Sequence, residues 1–146
     1  MEIIIRTSVP KYASKHIDSL LKQALDFMKS KYPNTNFDNM RIIFTRGNKR
    51  SRYSRNNHKK DLLPTVRIEM RDLLWVYDIK SLNIKQCKVK TGLKIQTLST
   101  LVHELTHHYQ GENGLKYGEV LTTKNELEFI EQNFPDIYIK MMGNKK

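Results

Sequence analysis

From Gly92 to Gly111 one stretch of the chain admits a single local structure. Ile95, Leu98, Val102, Leu105 and Tyr109 fall at steps of 0, 3, 7, 10 and 14, which is the repeat of one helical face. Thr91 or Gly92 opens this element and Gly111 closes it. Embedded in it is His103-Glu104-Leu105-Thr106-His107. Residues four apart share a helical face, so His103 and His107 can reach one metal ion. Glu104 lies about 100° further round the helix. A general base needs that place to take a proton from a metal-bound water without ligating the metal.

The rest of the chain supplies partners for such a helix. Glu2–Ser8 reads as a short strand, and Pro10 suits the start of a helix. Ile17, Leu20, Leu21, Ala24 and Met28 predict an amphipathic helix between Lys11 and Lys31, ended by Tyr32-Pro33-Asn34. Arg41–Arg46 and Pro64–Met70 alternate as strands. Asp72–Val89 is ambiguous, although Leu73, Leu74, Trp75 and Val76 need burial. A polar connection, Glu112–Thr122, leads to a helix over Thr123–Asn133 with Leu127 and Ile130 inward, and Ile137–Met142 adds a final turn or two. With 146 residues and 38% hydrophobic content, the expectation is one α+β domain over 1–146.

Composition excludes several classes. The single cysteine, Cys87, builds neither a disulfide framework nor a multi-cysteine zinc site. No apolar run approaches the roughly 20 residues of a membrane span. Ile3-Ile4-Ile5 before Arg6 is too short for a secretory leader, so the expected address is a reducing cytoplasm. Net charge is +11, unevenly placed: residues 1–100 carry 21 basic and 8 acidic side chains, net +13, whereas 101–146 carry 5 and 7, net −2. Between the second and third strands lies Gly47–Lys60, acid-free and expected to be a long hairpin loop. Arg46, Lys49, Arg50, Arg52, Arg55, Lys59 and Lys60, with Tyr53, give the region a non-specific nucleic-acid reading. A solvated hairpin tip is the competing reading.

Helix and motif together resemble a small zincin-type, gluzincin-like metallopeptidase, with some likeness to SprT-like and ImmA/IrrE-like proteases. The resemblance is carried by His103-Glu104-x-x-His107 and by Asn125-Glu126-Leu127-Glu128-Phe129, which falls 18 to 22 positions after His107. It implies a minimal zincin-like fold: a small twisted sheet, an N-terminal helix, an active-site helix and a downstream ligand-bearing helix. It also implies Zn²⁺ held by His103, His107 and a glutamate, Glu104 as general base, and hydrolysis of a peptide bond in a protein or peptide substrate bound along a sheet edge. Pro64–Met70 is the candidate edge. Glu126 best matches the third ligand, with Glu128 and Glu119 as alternatives. Glu126 also stands three residues after Thr123, which is the spacing of a capping box. Tyr117, in the connection between the ligand helices, is the candidate oxyanion stabiliser, and a partly buried loop tyrosine is its plainer reading. His108 is expected at the surface or behind the ligands. Two other functions fit the same residues: a DNA-associated protease recruited by the basic loop, and a zinc-stabilised binding module without catalysis.

Overall fold

The computed structural model describes residues 1–47, 50–55, 63–70, 80–84, 87–91 and 93–143. Its elements are β1 (Glu2–Ile5), α1 (Lys11–Ser14), α2 (Ile17–Lys31), β2 (Arg41–Thr45), β3 (Arg52–Ser54), β4 (Thr65–Glu69), β5 (Lys80–Ile84), β6 (Cys87–Thr91), α3 (Leu93–Glu112), α4 (Glu119–Asn133) and α5 (Pro135–Gly143). The architecture is mixed α and β, as expected. Among the described residues no helix is long and apolar enough to cross a membrane.

Four strands form one sheet in the order β1-β2-β4-β3. β1, β2 and β4 run parallel, with Ile3 beside Ile42 and Phe44 beside Ile68. Parallel neighbours need a crossover, and α2 supplies it between β1 and β2. β3 returns antiparallel, with Tyr53 beside Val66. β2 and β4 alternate in burial, so Ile42, Phe44, Val66 and Ile68 are shut away on one face. That face meets the helices. α2 buries Ile17, Leu20, Leu21, Ala24 and Met28, the stripe its sequence spacing predicts. α3 adds Leu98, Leu101, Val102 and Leu105, and α4 adds Phe129 and Ile130. Leu127 packs at the edge of the same core. Each such side chain contributes about 1.5–3 kcal/mol by leaving water. A second sheet pairs β5 with β6, antiparallel.

The structure corrects several boundaries. The first helical region is two helices, broken at Lys15–His16. The expected basic hairpin loop contains β3 instead, because Arg52–Ser54 finds a ladder on β4. β4 is therefore internal, and the candidate edge over Pro64–Met70 moves to β3. Residues 48, 49 and 56–62 of that region lie outside the described residues, as do 71–79 with Trp75.

Candidate metal centre

α3 is seated by its apolar stripe, and its end is tightly closed. Leu115 N–H donates to the Gln110 carbonyl at 2.8 Å, and Gly114 takes the left-handed conformation (φ 65°) that such a closure requires. The chain then turns back, and α4 begins at Glu119, four residues before the start expected at Thr123. Gly118 is the N-cap residue and makes no side-chain cap bond. Thr123 thus lies inside the helix, and the capping-box reading of Glu126 falls away.

The early start places Glu119 in the first turn, seven residues and two turns before Glu126 on the same face. Glu119 meets the histidine pair. Its Oε2 lies 3.0 Å from His103 Nε2 and its Oε1 3.2 Å from His107 Nε2. Ligand-type atoms of His103, His107 and Glu119 all lie within 4.8 Å of one another. Glu126 lies on the opposite side of the same imidazole, with Oε2 3.1 Å from His103 Nδ1. The carboxylate that meets both Nε2 atoms is thus Glu119 and not the expected Glu126, because two turns of α4 separate a carboxylate facing Nε2 from one facing Nδ1. Glu128 points elsewhere and pairs with Lys31 on α2.

Both imidazoles are oriented from behind. Ser99 Oγ donates to Glu126 Oε1 at 2.6 Å, leaving Oε2 to accept from His103 Nδ1–H. Gln110 Nε2 donates to the Gly118 carbonyl at 3.2 Å. Its Oε1 is therefore free to accept from His107 Nδ1–H at 2.9 Å. With both Nδ1 atoms protonated, a ring that carries no second proton turns an Nε2 lone pair toward the Glu119 carboxylate. Two lone pairs and an anion converging on one point repel unless a cation or protons lie between them. The donor set of two imidazoles and one carboxylate fits a zinc ion with room for a fourth ligand. Burial opposes a charged His103, but the hydrogen bond to Glu126 and the charges of Glu126, Glu104 and Glu119 outweigh it and raise its pKa. Glu119 is 69% exposed in its side chain, so the centre opens to solvent on the α4 side.

Glu104 is buried, and its Oε2 has no hydrogen-bond partner among the described residues. An unpaired buried oxygen costs about 1–3 kcal/mol and calls for a ligand or water to satisfy it. Burial pushes its pKa up to about 7; His103 works against this, and the charges of Glu119 and Glu126 add to it.

A second cluster borders the first. His108 is wholly buried, not a surface group. Its Nε2–H donates to the Asn36 carbonyl at 2.7 Å, and its Nδ1 accepts from the Tyr53 hydroxyl at 3.1 Å. Burial, the largest influence, lowers its pKa, so the ring stays neutral. Arg55 Nη1 donates to Tyr53 Oη and Nη2 to Glu112, each at 3.2 Å. Burial pushes the Tyr53 phenol up to about 12, with Arg55 opposing. Tyr117 is 48% exposed, and its ring centroid lies 6.0 Å from that of His107 and 6.1 Å from that of Tyr53. Its hydroxyl sits against Gly111, where a β-carbon would come within 2.8 Å of Tyr117 Oη and 3.1 Å of Arg55 Nη1. A glycine one turn past His107 thus makes room for a phenol and a guanidinium.

The His103–Glu104–His107 grouping follows from the motif, whereas the parts played by Glu119, Ser99, Gln110 and Tyr53 do not. The seven-residue interval from Glu119 to Glu126 was the available signal. It was hidden by reading Glu112–Thr122 as a connection. Compared with protein-family models, with curated proteins and with solved structures, the chain matches none.

Proposed function

We propose that this chain is a zinc-dependent peptidase with a zincin-like arrangement of sheet and helices. The observation that carries the reading is the convergence of His103 Nε2, His107 Nε2 and the Glu119 carboxylate beside a buried Glu104 whose Oε2 has no partner among the described residues. His103, His107 and Glu119 would hold the ion. When bound, zinc supplies Lewis acidity, lowering the pKa of a water and polarising a carbonyl oxygen.

The remaining work falls to the protein's own groups. Glu104 takes the proton of the attacking water and returns it to the leaving amine, a double duty suited to a carboxyl with a pKa near neutrality. Tyr117, beside His107, donates its phenolic hydrogen to the developing oxyanion. An extended peptide lies along β3, the outermost strand of the sheet among the described residues, whose Tyr53 reaches back to His108 on α3. Glu126 and Gln110 keep the two imidazoles in one tautomer and one orientation.

The test combines metal content with cleavage. Inductively coupled plasma mass spectrometry is expected to find one zinc per chain in the wild type and a large loss in His103→Ala. A peptide library is expected to be cut by the wild type and spared by Glu104→Gln. Equal zinc in both proteins overturns the metal site. Retained zinc with no cleavage of any peptide overturns the peptidase reading in favour of a zinc-stabilised binding module.

A further inference from the structure

The described cations divide by place. Six of them sit in ion pairs: Lys22 with Asp26, Lys29 with Asp38, Lys31 with Glu128, Arg41 with Glu2, Arg55 with Glu112 and Arg67 with Glu69. Ten more, Arg6, Lys11, Lys15, Arg46, Arg50, Arg52, Lys94, Lys116, Lys124 and Lys140, are exposed, and their side chains make no ion pair or hydrogen bond among the described residues; the first six of them lie together.

Topology brings these six to one end of the sheet. β1, β2 and β4 are parallel, so their C-terminal ends coincide. Arg6 follows β1 and Arg46 follows β2. Their neighbourhood is tied by Arg6 N–H to the Phe44 carbonyl at 2.9 Å and Arg46 N–H to Ser8 Oγ at 3.1 Å. The crossover from β1 starts at this end, with Lys11 and Lys15 on α1 and its junction with α2. β3 is antiparallel and therefore begins here too: Ser51 Oγ accepts from Glu69 N–H at 2.8 Å, between Arg50 and Arg52. Residues 6–17, 44–47 and 50–52, the described residues that lead out of β1 and β2 and into β3 here, contain no acidic side chain. Glu69 is committed to Arg67 at 2.8 Å and is 1% exposed in its side chain.

We infer that this end of the sheet is a docking surface for the phosphodiester backbone of a nucleic acid, read without regard to sequence. Unpaired, solvated cations gathered from three stretches of chain release counterions when they meet phosphates. Four of the six are arginines, whose planar fork matches two phosphate oxygens better than it matches a scattered set of protein carboxylates. The surface differs from the contiguous basic loop expected from the sequence. It takes in Arg6, Lys11 and Lys15, and it loses Arg55, which is held by Glu112. The inference does not rest on the peptidase reading: none of these residues belongs to the metal centre, only Arg52 lies on β3, where the peptide is placed, and the test reads DNA binding rather than cleavage.

The test is fluorescence anisotropy with labelled 30-mer duplex and single-stranded DNA across 50–200 mM salt. With four phosphates engaged, the slope of log K against log salt is expected to be about −3, a loss of about 60-fold over that range. Arg6→Ser/Arg46→Ser/Arg52→Ser is expected to flatten the slope by about 2 to 3. Lys22→Ser/Lys29→Ser/Lys140→Ser removes the same charge elsewhere and is expected to leave the slope unchanged. Thermal melts establish that both variants fold. Three results would overturn the inference: no binding at 50 mM salt, equal losses in the two triple variants, or binding to phosphatidylserine vesicles without binding to either DNA.

Discussion

Glu119 and Glu126 stand seven residues apart on α4 and embrace the same imidazole: Glu119 reaches Nε2 of His103 at 3.0 Å, and Glu126 reaches Nδ1 at 3.1 Å. One carboxylate is placed to share a cation with the ring, and the other to hold the ring still. Their removal should therefore differ in degree. Glu119→Ala is expected to weaken zinc binding more than Glu126→Ala, for which about 10- to 100-fold is the usual effect of losing an orienting partner. Competition against a chromophoric chelator measures both. The reverse order would return Glu126 to the metal.

Glu104→Gln should divide activity from stability. Peptide hydrolysis is expected to fall by about 10²–10⁴, since the amide cannot accept the proton. The metal-free protein is expected to gain stability. The folded pKa of Glu104, about 7, lies above its ordinary 4.5. Its contribution to the fold is complete below pH 4.5 and is lost as pH rises through about 7, where a charged carboxylate must stay buried. At pH 8 the glutamine is expected to raise stability by about 1–3 kcal/mol. Urea denaturation after chelator treatment, at pH 5 and pH 8, tests the sign. A gain at pH 5 as large as that at pH 8 would contradict it.

His108 should make the fold acid-sensitive in the opposite sense. Its pKa is lowered from 6.5 by burial, so below pH 6.5 the unfolded chain takes up a proton that the folded one refuses. Stability then falls as pH drops, from about 6.5 down to the folded pKa. In metal-free protein, the decline between pH 7 and pH 5 is expected to be shallower in His108→Gln than in the wild type. Tyr53→Phe removes the hydroxyl facing Nδ1 of His108 and should destabilise by about 1–3 kcal/mol at neutral pH.

Gly111→Ala tests the space on which Tyr117 depends. A methyl there would meet Tyr117 Oη at 2.8 Å and Arg55 at 3.1 Å, so both tips must shift. Alanine also favours a helix by up to about 1 kcal/mol over glycine, which offsets the crowding. The melting temperature is expected to change little, while kcat falls as in Tyr117→Phe. Unaltered kcat in both variants would remove Tyr117 from the reaction.

Elements with an uninterrupted apolar repeat were legible in the sequence. The buried faces of α2 and α3 follow from spacing alone, and so does the pairing of His103 with His107 across one turn. β3 was not legible. Arg52–Ser54 has no hydrophobic alternation, and only the ladder on β4 makes it a strand. Glu119 was obscured for a related reason. Glu119-Val120-Leu121-Thr122 follows a glycine and carries no buried apolar residue, so its helical state comes from continuity with the turns behind it and from packing on α3. The buried His108 was hidden because its partners, Tyr53 and the Asn36 carbonyl, are 55 and 72 residues away along the chain.

Gln110 has a consequence for how this family of shapes could vary. Its amide touches His107 Nδ1, the Gly118 carbonyl and, at 3.4 Å, the Gly118 N–H. It measures the length of the turn from Asn113 to Gly118, and the residue after that turn is Glu119. Insertion of even one residue there would release the amide from Gly118 and swing Glu119 away from both imidazoles. The turn is exposed, where chains ordinarily tolerate added residues, yet here its length is as constrained as the spacing of the two histidines.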